Sequence, residues 1–188
     1  MNTERLIKLI TEHGNLSREL IVDLEGELKE EFYQTHQILH AAGQQENRLY
    51  FIEKGLIRNY YYDHHGNEHT VKFWEAHDIL FSYEGYYSVP SYFYTEVIGA
   101  STLITLSYAA LHELDTKYPA ITELIKNMLL RYQNEEYEIK RLIALPPEER
   151  FITLRTKRPN LFKKVPARII ASYLHLTRET LTRYIARN

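Results

Sequence analysis

Cysteine is absent from the 188 residues. Disulfides, iron–sulfur clusters and thiol sensing are therefore excluded. No apolar run reaches the roughly 18 residues of a membrane-spanning helix, so no membrane partner is expected. The first residues, MNTERLIKLITEHGN, carry charge throughout and lack the apolar core of a signal peptide, which makes a cytoplasmic location the expectation. Lysine and arginine are missing from Phe73 to Thr116. Glycine is missing after Gly99, so tight β turns are expected in the first half alone. No nucleophile–base pair or pair of carboxylates stands in a catalytic pattern, and the chain is not expected to be an enzyme.

What is present is ordinary in bulk: 44% hydrophobic and 26% charged residues. The net charge of −2 hides a division. Residues 140–188 hold twelve Lys/Arg against three acids, and the remainder holds 11 against 22. An acidic body with a basic module suggests a nucleic-acid partner.

Residues 1–32 read as helical, with Leu6, Ile10, Leu20, Leu24 and Leu28 at helical spacing, a break at Gly14-Asn15, and Ser17 as an N-cap. Strand-forming runs then follow: 37–40, 48–53, 56–62, 70–74, 93–98 and 102–107. Glycines punctuate them, and the clearest hairpin turns at His65-Gly66-Asn67. Regular short strands predict an antiparallel sandwich or barrel. Helical patterning returns at Leu111–Leu114 and runs longest from about Ala120 to Leu145. Ile121, Ile125, Met128, Tyr132, Ile139 and Leu142 form a narrow stripe there, a seam for a partner helix or a face packed on the barrel. Pro146-Pro147 ends that helix. The pattern divides the chain into 1–118, 119–145 and 146–188.

The last stretch, VPARIIASYLHLTRETLTRYIARN, reads as two short amphipathic helices around a break at His175-Leu176. Ile169, Ile170, Leu174 and Leu176 give the first an apolar side, as Leu181 and Ile185 do the second. Ala171 permits close crossing, and Thr177 is placed as an N-cap. Arg178, Glu179, Thr182 and Arg183 lie on the opposite face. Arginine can fork onto guanine and glutamate can accept from cytosine, so Arg178, Glu179 and Arg183 are the base-reading candidates. Lys163, Lys164, Arg168 and Arg187 are candidates for phosphate.

These residues resemble the cyclic-AMP receptor protein/FNR (Crp/Fnr) family of bacterial transcription regulators. Thr177 to Arg183, TRETLTR, is similar to its recognition-helix motif. His36–Leu39, Gly43, Tyr50–Gly55, Arg58, Asp63–Glu68 and Asp78 are similar, in order and spacing, to its sensory β-roll. The resemblance implies an α+β fold: an N-terminal antiparallel β-roll with flanking helices, a long dimerisation helix and a C-terminal helix-turn-helix. It implies that Thr177, Thr180 and Thr182 approach the DNA backbone. It implies a homodimer on double-stranded DNA, with RNA polymerase as a further partner. Two features depart from the pattern near the reader. His175 stands where the turn commonly has glycine, which predicts a left-handed turn residue. The sequence ends about ten residues into the second helix, before the usual wing.

Cyclic-nucleotide members hold phosphate with a Gly-Glu and an Arg-Ser/Thr pair. The corresponding stretches here are Phe81–Gly85 and Pro90–Thr95, without a cation, so cyclic AMP is not expected to bind. Phe81, Tyr83, Glu84, Tyr86, Tyr92 and Tyr94, with Tyr87 and Phe93 beside them, line a candidate ligand pocket or serve packing. The group His64, His65, Glu68 and His69 straddles a hairpin turn, where polar residues belong, and no metal is expected. The alternative reading is a small-molecule-binding β-roll, a sensor or interaction module whose helical tail does not read DNA.

Overall fold

The computed structural model describes residues 3–12 and 16–187. The expected break at Gly14-Asn15 and the terminal Asn188 lie outside them. Helices α1 (Glu4–Thr11) and α2 (Arg18–Glu27) come first. Ser17 caps α2, its Oγ accepting from the Leu20 amide at 3.1 Å. The helical expectation for residues 1–32 fails at its end. Leu28 turns extended, and Lys29–Tyr33 form strand β1 by pairing with Ser101–Thr105. Long-range pairing overrides the local pattern here.

The strands β2 (Ile38–His40), β3 (Arg48–Tyr62), β4 (Glu68–Glu75), β5 (Ile79–Leu80) and β6 (Tyr94–Ser107) complete an antiparallel sheet. Its order is β1-β6-β3-β4, with β2 also on β6 and β5 on β3. Two expected pairs of short strands are in fact two long ones, β3 and β6. Gly55 does not turn the chain. It sits at φ 126° within a run of register shifts between Ile52 and Ile57. A Cβ there would meet Ser101 Oγ at 1.9 Å, so the crossing of β3 and β6 requires glycine. The hairpin at Gly66 is as expected, with Gly66 at φ 77° and the Asp63 amide donating to the Asn67 carbonyl.

Alternation along the long strands sorts their side chains. Tyr50, Ile52, Ile57, Val97 and Leu103 face the roll interior with Trp74 and Leu80. Leu49, Phe51, Ile104 and Leu106 face α1, α2, α4 (Tyr108–Lys117) and the first half of α5 (Pro119–Ala144). A single helical turn, α3 (Tyr83–Tyr86), links β5 toward β6.

Beyond α5 lie α6 (Pro147–Lys157), α7 (Leu161–Lys164), α8 (Ala167–Tyr173) and α9 (Arg178–Arg187). Phe151, Leu161, Ile169, Ile170, Leu174 and Leu181 build their core, which Leu56, Phe73 and Ile98 of the sheet join. Ile185, expected inward with Leu181, is exposed; Tyr184 takes the inward position. The edge of β4 is covered by side chains from this unit. Ser172 Oγ donates to the Glu68 carbonyl at 2.7 Å and accepts from the Thr70 amide at 2.8 Å. Arg158 donates to the Phe73 carbonyl and to the Glu75 carboxylate.

Candidate nucleic-acid interface

The turn between α8 and α9 is closed at both ends by backbone bonds. The Leu176 amide donates to the Ala171 carbonyl at 2.9 Å, and the His175 amide to the Ser172 carbonyl at 3.2 Å. This is the Schellman pattern, with His175 at φ 53° in the left-handed position expected for it. Thr177 Oγ1 then accepts from the Thr180 amide at 3.2 Å and caps α9. Arg150 of α6 braces the turn, donating to the Leu145 carbonyl at 2.7 Å and the Leu174 carbonyl at 3.0 Å. One cation thereby satisfies two helix ends. Burial, then the charges of His69 and Arg150, push the His175 imidazole below its usual value.

With Leu181 and Tyr184 buried, α9 presents Arg178, Glu179, Thr182 and Arg183 to solvent. Thr182 bonds back to the Arg178 carbonyl, and Thr180 is half-buried beside the cap. Lys163, Lys164 and Arg187 are exposed. Arg168 is exposed as well, but its guanidinium is engaged by Glu68 of β4 at 2.8 Å. Glu68 also holds Arg58, which is 2% exposed and bonds Glu96. Burial would raise the Glu68 carboxyl, but Arg58 and Arg168 outweigh it and hold it low. Sequence reasoning missed this network, because no local pattern joins residues 58, 68, 96 and 168.

The expected pocket residues do not all line one cavity. Phe81 and Glu84 border a small cavity inside the roll. Tyr83 and Tyr92 are exposed, Tyr94 stacks on Tyr60, and Tyr86 packs on Phe81, Tyr108 and His112. Strand alternation and the short α3 turn point those tyrosines away from the interior. Lys72 of β4, one residue before the cation-free span, also borders this cavity. Its ammonium lies 3.7 Å from the Trp74 ring centroid and 4.9 Å from that of Tyr132, and it pairs with Glu135 of α5. Burial lowers the Lys72 pKa and Glu135 opposes that shift.

These residues do not fit a cyclic nucleotide. The space beside Lys72 is about 30 Å³, whereas small-molecule sites are typically some 300 Å³ or more. Glu46, Glu84 and Glu136 border it and outnumber Lys72, which Glu135 already pairs. Burial raises the Glu46 carboxyl. Among the histidines of the β3–β4 hairpin, His69 bonds Asp63 at 2.9 Å and stacks on Tyr61.

The stripe on α5 begins buried within the chain. Ile121 and Ile125 are buried against the sheet and N-terminal helices, with Met128 packed beside them. Tyr132 borders the Lys72 cavity, Ile139 lines the cleft facing β4, and Leu142 packs on the C-terminal core. The first half of the stripe is thus covered within the chain, while Tyr132, Ile139 and Leu142 stay partly exposed. The outward face carries Leu130 and Tyr137, both more than half exposed.

The cyclic nucleotide-binding domain family matches residues 30–118. No curated protein matches the chain. Among solved structures, FixK2 from Bradyrhizobium japonicum is similar at a TM-score of 0.75 and 17% identity, covering 85% of this chain and 83% of that one. A Eubacterium rectale protein assigned to the Crp/Fnr family of transcriptional regulators gives 0.75 and 15%, covering 92% and 83%. The c-di-GMP responsive global regulator CLP from Xanthomonas campestris gives 0.69 and 14%, covering 91% of each chain. A β-roll of the cyclic nucleotide-binding type at residues 30–118, followed by a long helix and a terminal helical unit, thus gives this chain the fold of the Crp/Fnr regulators.

Proposed function

We propose that the chain is a sequence-specific DNA-binding transcription regulator of the Crp/Fnr type. It acts as a homodimer in the cytoplasm and does not depend on cyclic AMP. The observation that carries this reading is the exposed face of α9. Arg178, Glu179 and Arg183 are exposed on a helix anchored by buried Leu181 and Tyr184, whose entry is fixed by the turn and cap. In such a placement the two arginines fork onto guanine edges and Glu179 accepts from cytosine. Lys163, Lys164, Thr177, Thr180, Thr182 and Arg187 contact phosphates, and Arg168 joins them when it leaves Glu68. Residues 1–118 form the sensory unit, 119–145 the dimerisation helix and 146–188 the reader. Dimer pairing uses α5, whose stripe leaves Tyr132, Ile139 and Leu142 partly exposed and whose outward face adds Leu130 and Tyr137.

Fluorescence anisotropy across operator variants tests the reading. Arg178→Ala and Glu179→Ala should each lose about 1–3 kcal/mol of binding and relax preference at one base position. Unchanged affinity and preference in both variants would remove the assignment. Deleting residues 160–188 separates it from the sensor alternative: a regulator loses its DNA affinity entirely.

A further inference from the structure

The sheet face opposite the roll interior meets α1, α2, α4 and α5, and these elements do not close on one another completely. A cavity of about 130 Å³ remains among them. Its walls include Leu6 and Ile10 of α1, Leu24 of α2, Leu111 of α4, and Ile121 and Leu124 of α5. Each of these side chains is at most 8% exposed, whereas Leu9, Asn127 and Arg131, which also line the space, reach solvent. The cavity is distinct from the small space beside Lys72, although Trp74, Phe81 and Tyr132 border both.

The chemistry of the walls selects the guest. A water needs about two to four polar partners, and the aliphatic walls supply none. Polar side chains line the cavity only further along α5, at Asn127, Arg131, Tyr132 and Glu135. Arg131 is already engaged, bonding Asp78 at 3.1 Å and Glu135 at 2.9 Å. Among the described residues that line the cavity, no other cation stands to receive an anionic guest. An apolar cavity of about 150 Å³ walled by Leu, Ile and Phe stays dry and accepts benzene or xenon. The space here is close to that size, and Leu, Ile and Phe make up most of its lining. It is too small for a nucleotide or a peptide segment.

We propose that this cavity binds a neutral, apolar small molecule of the class of a monocyclic aromatic or a short hydrocarbon chain. The guest touches α1, α2 and α5 at once and so fixes how the long helix seats against the sheet. This does not depend on whether α9 reads DNA.

Toluene is the probe, titrated into the full chain and followed by methyl NMR of leucine and isoleucine. The expected result is saturable shifts concentrated at Leu6, Ile10, Leu24, Leu111, Ile121 and Leu124. Leu124→Phe and Ile10→Phe, two substitutions from different helices, each fill the space and should weaken toluene binding at least ten-fold without lowering Tm. Where one fails to fold, the other carries the comparison. Xenon binding by crystallography, with density inside the cavity, gives the same answer without a substitution. The proposal is overturned if toluene gives no saturable shift. It is also overturned if the shifts lie instead around Lys72, if a folded filling variant keeps wild-type affinity, or if a second copy of the chain closes the cavity to the probe.

Discussion

Lys72 and His175 show what single side chains decide in this molecule. Lys72 is a buried cation whose nearest compensation is one carboxylate and two aromatic faces. A buried pair of this kind adds little net stability, but breaking it is costly. Glu135→Gln leaves the ammonium without its counter-charge and should destabilise by about 1–3 kcal/mol, the lower end reflecting the partial exposure of Glu135. Lys72→Met fills similar volume and should be neutral to within about 1 kcal/mol. Urea denaturation of both variants checks this; a larger loss in Lys72→Met than in Glu135→Gln would reject the account. His175 holds a left-handed conformation at some cost, and His175→Gly should stabilise by roughly 0.5–1 kcal/mol. Its imidazole has a lowered folded pKa, so the unfolded chain takes up the proton first as pH falls. The contribution is complete above the unfolded value of about 6.5 and is lost as pH drops from there through the lowered folded value. Thermal melts between pH 7.5 and 5 should therefore fall less in His175→Gly than in the parent. The turn histidine was legible in the sequence from the missing glycine. Lys72 was not, because which face of β4 meets the interior is set by pairing with β3 across the sheet.

At the scale of elements, the long strands β3 and β6 are the frame. Their register shifts bend one continuous pair around both cores. Glycine punctuation was visible, yet it marked irregularity within strands as often as turns between them. Gly66 is a turn and Gly55 is not. Sequence alone cannot distinguish the two, since both answer to the same freedom at positive φ. Gly55→Ala should cost about 2–4 kcal/mol, because strain at φ 126° adds to the contact with Ser101. Gly55→Ala with Ser101→Gly should recover the part due to the contact, as paired chemical-denaturation curves will show. A loss in Gly55→Ala below about 0.5 kcal/mol would show that β3 has no need of glycine there. Strand β1 escaped notice for a related reason. Lys29–Tyr33 has charged, mostly exposed side chains and gains its structure from the partner strand. The helical units fared better: α5, α6, α8 and α9 are close to expectation, since proline, caps and apolar spacing act locally.

The molecule as a whole divides its charge, with twelve of its Lys/Arg at residues 140–188. The terminal unit leans on the sheet through Ser172, Arg158 and Arg168, and Glu68 is shared between Arg58 and Arg168. Arg58 keeps Glu96 if Glu68 is neutralised, so the roll should survive the change. Glu68→Gln should then free Arg168 for phosphate, strengthen DNA binding and steepen its salt dependence by about one counterion. A salt titration of the two proteins reads both effects. The central claim is that two copies of α9 read a defined sequence. Its most direct measurement is recovery of bound fragments from a random double-stranded DNA pool at physiological salt. The account predicts enrichment of a near-palindrome with half-sites about 34 Å apart, one helical turn. Recovery of DNA with no enriched sequence, or of none at all, would contradict it.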